Sequence, residues 1–262
     1  MDLADRVVAV TGGGHGIGRA LCERFAAEGA AAVAVLDIDA VAAREVAAGI
    51  GGLALGVDVT NEVHTVEAID RIEAELGPID LFCANAGIVD VGGVELPDGE
   101  WRRMIDVNLM SHVIAARVLV PRMLARGGGY LLHTASAAGL LTQIGSAPYS
   151  VTKHGVVALA EWLAITHGDA GLVVSALCPQ AVRTAMTGGL EGGGVAGVDG
   201  MIEPEAVADA VVEGLRDERF LILPHPDVAE YERRRATDHD RWIAGMRRLQ
   251  ARYGGIGTPV DP

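Results

Sequence analysis

The sequence predicts a single doubly wound α/β domain, a mainly parallel seven-stranded sheet with helices on both faces. Three observations lead there. Short apolar, β-branched runs alternate with longer stretches at helical spacing along most of the chain. The first of these runs stops at a cluster of glycines that opens a helix, and the second ends on an acidic residue, Asp37.

Taken in order, Arg6 to Thr11 reads as a buried strand, and Arg19 to Glu28 carries helical apolar spacing through Leu21, Phe25 and Ala26 before Gly29 caps it. Ala32 to Asp37 is a second buried strand and Asp39 to Ala48 an alanine-rich helix. Leu53 to Val57 is the third strand, followed by a helix from Glu62 to Leu76 that Gly77-Pro78 stops. Ile79 to Ala84 is the fourth strand, a long helix runs from about Glu100 to Ala125, and Gly129 to Thr134 is the fifth. Ala147 to His167 is helix again and Leu172 to Leu177 the sixth strand. Parallel strands joined by helices require right-handed crossovers, which place helices on both faces.

Beyond Pro179 the pattern changes. Glycine-rich chain with few large side chains predicts a mobile substrate loop at about 185–202. Pro204 suits the first turn of a helix reaching Arg216, and Phe220 to Leu223 is the seventh strand. Asp227 to Tyr253 reads as one charged amphipathic extension, solvated or subunit-facing in preference to an anion site because Arg233-Arg234-Arg235 is interleaved with Glu232, Asp238 and Asp240. The tail from Gly254 to Pro262 is expected to be loose.

Composition excludes several functions. Half of the 262 residues are apolar, which rules out a disordered chain. No apolar run reaches the length of a membrane helix and the N-terminus carries no signal-peptide pattern, so a cytoplasmic protein is expected. Cys22, Cys83 and Cys178 are few, scattered and in apolar surroundings, as reduced core thiols are. The eight histidines form no metal-ligand spacing, so no metal is expected. A net charge of −14 disfavours nucleic acid and anionic membranes as partners.

Two stretches carry chemistry. The first is the turn Thr11-Gly12-Gly13-Gly14-His15-Gly16-Ile17-Gly18, lying between a strand and a helix. There a dinucleotide's pyrophosphate can meet backbone N–H groups and the positive end of the helix, as in a Rossmann-type fold. Its spacing is G-x-x-x-G-x-G, since Ile17 occupies the last glycine position of the stricter fingerprint. Asp37 is placed to accept hydrogen bonds from the adenosine ribose hydroxyls and to repel a 2′-phosphate, which favours NAD over NADP. The second stretch is Tyr149-Ser150-Val151-Thr152-Lys153, which holds the only lysine in a chain with twenty arginines. Four residues apart on a helix, a phenol and an ammonium are neighbours.

Together with Ser136 and Asn108, these motifs resemble the short-chain dehydrogenase/reductase family in its compact single-domain form, over about residues 4–225. The glycine turn looks like that family's cofactor turn. Asp58-Val59 resembles the pair beside the adenine, and Ala84-Asn85-Ala86-Gly87 resembles an Asn-Asn-Ala-Gly segment whose first Asn is replaced. Asn108, Ser136, Tyr149 and Lys153 stand in the order and spacing of the catalytic tetrad. Pro179, Val182 and Thr184 match residues at the nicotinamide, although Gln180 stands where the family usually has glycine.

The resemblance implies NAD-dependent interconversion of a secondary alcohol and a ketone. Tyr149 would be the general acid/base, Ser136 the donor to the substrate oxygen, Lys153 the holder of the nicotinamide ribose, and Asn108 the holder of a water linking Lys153 to solvent. An ammonium about 5 Å from the phenol at an effective dielectric near 20 is worth roughly 3 kcal/mol, most of what the phenol needs to act as a base at neutral pH. Leu140, Leu141, Ile144 and Met186 would surround a hydrophobic substrate, or simply pack. Read without the resemblance, Asn108 is a satisfied core amide and Ser136 a strand-end hydroxyl. Family analogy also implies a homotetramer, with a homodimer the alternative. A non-catalytic NAD sensor and a sugar-nucleotide epimerase or dehydratase are the alternatives on this fold.

Overall fold

The computed structural model describes residues 1–188 and 191–253; residues 189–190 of the glycine-rich segment and the tail 254–262 expected to be loose lie outside the described residues. Seven strands form one sheet: β1 Val7–Thr11, β2 Ala32–Asp37, β3 Leu53–Gly56, β4 Leu81–Ala84, β5 Gly129–Thr134, β6 Leu172–Leu177 and β7 Leu221–Ile222. Their order is β3-β2-β1-β4-β5-β6-β7 and every pairing is parallel. The order reverses at β1 and β4, so the chain leaves those two neighbouring strands toward opposite sides and opens a crevice at their C-terminal ends. Thr11 and Ala84 stand at its rim.

Side-chain alternation along the strands divides the core in two. Val8 and Val10 of β1 face helices α1 (Gly16–Ala27), α2 (Ala40–Ile50) and α8 (Pro204–Arg216), packing with Leu21, Phe25, Val46 and Val211. Val7 and Ala9 face the other layer, made by α3 (Glu62–Glu75), α5 (Ser111–Ala125) and α7 (Ala147–His167), with Ile72, Leu119, Met123 and Ala160. The three cysteines are buried and free.

Four features depart from the sequence reading. The long helix is interrupted: α4 (Asp98–Ile105) passes through a π turn, Asp106–Met110, before α5 begins. The stretch Asp98–Ala125 is, by length and composition, apolar enough to cross a membrane, but half of its apolar window is buried against the sheet and its neighbours, as in a core helix. A short helix, α6 (Ala138–Leu141), follows Ser136. The charged extension is two helices, α9 (Asp227–Thr237) and α10 (His239–Arg252), because Asp238 adopts an extended backbone and caps α10 through the Arg241 N–H at 2.9 Å.

The glycine-rich segment has local order of its own. Val182 and Ile202 bridge, with Arg183 N–H donating to the Ile202 carbonyl at 2.9 Å, so the excursion between them is tied at its base. Within it Ala185–Thr187 and Glu191–Gly197 form 3₁₀ turns. Thr184 and Thr187 cap the first of these reciprocally.

Candidate active site

A cavity of about 2070 Å³ lies over the crevice. Its lining runs from the glycine turn and Asp37, past Asn85 and Tyr149, to α9 and α10.

The turn after β1 is shaped by close approaches. Gly16 has φ +49, where a side chain is disfavoured, and a Cβ at Gly18 would lie 2.0 Å from the Gly12 carbonyl oxygen. His15 precedes α1 without a side-chain cap, and the first turn of α1 holds no acidic residue, so its N–H groups are free to meet an anion. Gly12, His15, Gly16 and Ile17 line the cavity. Gly14 acts one step back, donating its N–H to Asp37 Oδ2 at 2.9 Å while Asp39 N–H meets Oδ1 at 3.0 Å. Asp37 is therefore fixed at the end of β2, with accepting capacity left on both oxygens. No Arg or Lys accompanies it there: its lining neighbours are Ile38, Val57, Asp58, Val59 and Thr60. Asp58 accepts from the Thr60 N–H and hydroxyl at 2.9 and 2.7 Å, which hold its carboxyl below the ordinary range.

Thr11 ties the strand ends together. Its hydroxyl accepts from Asn85 N–H at 2.9 Å and Ala86 N–H at 3.1 Å, and Asn85 Nδ2 returns a bond to the Thr11 carbonyl. Asn85 Oδ1 in turn accepts from Thr134 of β5. Asn85, Ala86 and Gly87 line the cavity, while Thr11 lies behind them. Ala84, where a polar residue was expected, is buried in the core.

The π turn explains Asn108. Opening the helix by one residue turns this side chain inward, where its Oδ1 accepts from Ile88 N–H at 2.8 Å and its Nδ2 donates to the Ile88 carbonyl at 2.9 Å. Thr152 Oγ1 is a further partner at 3.3 Å. Both ends of the amide are thus engaged by protein groups.

Tyr149 and Lys153 sit one turn apart at the start of α7, the Lys153 Nζ 5.7 Å from the Tyr149 ring centre. Lys153 is buried and donates to the Thr134 carbonyl at 2.8 Å, and desolvation brings its ammonium down to about 8. The Tyr149 ring is partly open to the cavity, yet desolvation pushes its phenol above the ordinary value, opposed by the nearby Ser136 hydroxyl. This reverses the expectation from charge alone that Lys153 brings the phenol down. Burial acts on both groups and penalises both charged forms. Ser136 is held between the Ala138 N–H at 3.1 Å and the Pro179 carbonyl at 3.3 Å, with its Oγ facing Tyr149.

The substrate-side expectations divide. Leu141, Ile144 and Met186 line the cavity, as do Pro179, Val182 and Thr184. Leu140 does not: it is buried in the core layer that also holds Leu141 and, from α7, Val156 and Val157, which is the packing reading of the two. Gly18 likewise supports the turn from outside the cavity wall. Gln180 bonds through its backbone N–H to His225 Nδ1 and through its amide to Asp199, which Tyr231 of α9 also engages. Residues of α9 and α10, among them Trp242, Met246 and Arg248, form the far wall. The sequence reading set that extension in solvent or against another subunit. The regular spacing of its arginines and apolar residues was the available signal.

The chain is similar to known proteins along most of its length. Residues 6–192 match the short chain dehydrogenase family. The 1-deoxy-11-beta-hydroxypentalenate dehydrogenase of Streptomyces exfoliatus is 38% identical over 235 residues, covering 87% of this chain and 86% of that protein. The meso-2,3-butanediol dehydrogenase of Serratia marcescens is 34% identical, covering 72% and 76% respectively. A solved short chain dehydrogenase/reductase from Burkholderia phymatum, in complex with NAD, superposes with a TM-score of 0.83 at 27% identity over 100% of this chain and 99% of that one.

Proposed function

The chain belongs to the short-chain dehydrogenase family, and from that premise we propose that it interconverts a hydrophobic secondary alcohol and its ketone with NAD, using Tyr149 as general acid/base. The observation that carries this reading is the grouping of Ser136, Tyr149 and Lys153 in one cavity with the glycine turn and Asp37.

The cradle fits a nicotinamide dinucleotide. Gly12, His15, Gly16 and Ile17 would face its pyrophosphate, with Gly14 and Gly18 shaping the turn behind them. Asp37 would hold the adenosine ribose, and Asp58 with Val59 would flank the adenine. Asn85, Ala86, Gly87, Lys153, Pro179, Val182 and Thr184 would hold the nicotinamide end. The absence of Arg and Lys from the lining around Asp37 supports NAD over its 2′-phosphorylated form. When bound, a nicotinamide dinucleotide would supply the hydride acceptor and, in its oxidised form, a positive charge at the site.

The chain's own residues manage the proton. Tyr149 takes it from the alcohol oxygen during oxidation and returns it during reduction. Ser136 donates to that oxygen as charge develops on it. Lys153 stabilises the phenolate by its neighbouring charge. Asn108, spent on Ile88 and Thr152, positions the wall against which Lys153 lies. Leu141, Ile144 and Met186 support a hydrophobic substrate.

Val151, Trp162 and Ile165 are exposed on one side of α7, an apolar stripe that supports assembly into a homotetramer, and the buried free thiols support a reducing cytoplasmic setting. The functional test is a panel of hydrophobic alcohols offered with NAD or NADP, read by absorbance of the reduced nicotinamide. Oxidation of an alcohol with reduction of NAD is expected. Tight NAD binding without turnover of any alcohol would instead point to a sensor.

A further inference from the structure

The wall made by α10 carries a pattern that a neutral hydrophobic substrate leaves unused. Arg241, Gly245, Arg248 and Arg252 recur at spacings of four, three and four and so share one side of the helix. Beside them Trp242, Met246, Leu249 and Tyr253 form a parallel apolar stripe. All eight residues line the same cavity as Tyr149. A Cβ built on Gly245 would stand 3.8 Å from Arg248 Nη2, so the Arg248 guanidinium lies alongside the helix over the glycine.

These arginines differ in their partners from those nearby. Arg233 and Arg234, on the α9 part of the wall, are both held by Glu230, and Arg103 at the opposite rim is held by Asp90. Among the described residues Arg241, Arg248 and Arg252 have no carboxylate partner. The two acids in this part of the lining are engaged elsewhere: Asp199 by Gln180 and Tyr231, and Asp238 by the Arg241 backbone. In a chain of net charge −14, a row of guanidinium groups lining a cavity with no carboxylate paired to them among the described residues is a local exception.

The cavity is also larger than one small alcohol requires. At about 2070 Å³ it is roughly twice the upper range of about 1,000 Å³ for ordinary small-molecule sites. Even with a dinucleotide at the glycine turn, it extends past Met186 and Val198 to α10. The lining between Tyr149 and the arginines is apolar at Leu141, Ile144, Met186 and Trp242.

We propose that Arg241, Arg248 and Arg252 bind a carboxylate carried by the substrate, which is therefore a hydrophobic hydroxy acid or keto acid whose anionic end lies on α10 while its hydroxyl carbon lies at Tyr149. This rests on the dehydrogenase reading above. A guanidinium presents paired N–H donors that match a carboxylate's two oxygens, and the adjacent Trp242–Met246–Leu249 stripe would cover the hydrocarbon next to it.

The test uses hydroxylated cyclohexane, decalin and steroid carboxylic acids, each against its own methyl ester, in turnover with NAD and in calorimetric binding. For the best pair the acid is expected to exceed its ester in kcat/KM and in affinity by about tenfold or more, as one charge-assisted contact implies. That ratio should fall toward one in the Arg248→Gln/Arg252→Gln variant and persist in Arg247→Gln, which lies outside the lining. Equal handling of acid and ester, including binding of neither, overturns the proposal, as does a ratio that survives the double substitution. If no compound is turned over, the dehydrogenase reading fails by itself. The calorimetric ratio then still decides the carboxylate site.

Discussion

The Lys153 ammonium lies 5.7 Å from the centre of the Tyr149 ring, but its hydrogen bond goes to the Thr134 carbonyl, at 2.8 Å. Lysine is thus held by the end of β5 rather than by the phenol. Because burial raises the phenol, Tyr149 keeps its proton at neutral pH. Oxidation needs the deprotonated form and should accelerate as pH rises, while reduction, which needs the proton, should slow as the phenol titrates. Initial rates in both directions from about pH 6 to about pH 11 check this, with oxidation climbing through the range and reduction level until the phenol titrates above its ordinary value of about 10. Tyr149→Phe should lower kcat by about 10²- to 10⁴-fold with an unchanged melting temperature.

Lys153 itself predicts an unusual stability profile. Its folded value of about 8 lies below its ordinary 10.5, so between those pH values the unfolded chain holds more protons and stability rises with pH. Below about 8 the charge is buried at full cost, up to roughly 3 kcal/mol. Lys153→Met should therefore be inactive yet melt at or above the wild-type temperature at neutral pH, with the difference shrinking at alkaline pH. Thermal melts at both ends of that window decide it, and a variant melting well below wild type would remove the argument.

Two glycines should respond in opposite directions. Gly18→Ala drives a Cβ into the Gly12 carbonyl oxygen, which is backbone and cannot yield, so dinucleotide binding should be lost. Gly49→Ala, inside α2 and facing open space, should stabilise the protein by about 0.5–1 kcal/mol. Cofactor titration and denaturant midpoints provide the readouts.

Asp37→Ser should exchange cofactor preference. Loss of the carboxylate removes both the ribose acceptor and the repulsion of a 2′-phosphate, so NADH affinity should fall by about tenfold and NADPH affinity rise. Fluorescence titration of the two reduced cofactors measures this. An unchanged ratio would assign Asp37 to supporting Gly14 and Asp39 alone.

Behind the site His112 and His133 meet through their Nδ1 atoms at 2.9 Å, both buried. Burial lowers both, His133 to about 4, so each stays neutral when folded and takes a proton on unfolding below its ordinary 6.5. Their contribution is complete above about 6.5 and declines by up to about 1.4 kcal/mol per pH unit for each as pH falls toward 4. The His112→Leu/His133→Leu variant should show a flatter dependence of the urea midpoint between neutral and mildly acidic pH.

Much of this protein was written in short-range pattern. The β2 strand, the β5 strand and helix α7 fall where the sequence reading set them, because a buried strand or an amphipathic helix declares itself through side chains only two to four positions apart. The same periodicity made Tyr149 and Lys153 neighbours before any fold was known, and the glycine spacing marked the turn that opens α1. What only tertiary structure decided depended on partners distant in the chain. The π turn at Asn108 answers to the Ile88 backbone, and the phenol's upward shift answers to desolvation by the walls around it rather than to the nearest charge. Leu140 faces the core because α6 packs on α7, and α10 became a cavity wall where its charge had indicated solvent. In each case local sequence defined the element. The face it buries was fixed by surfaces brought together from more than one strand and helix, and that information is not carried in local spacing.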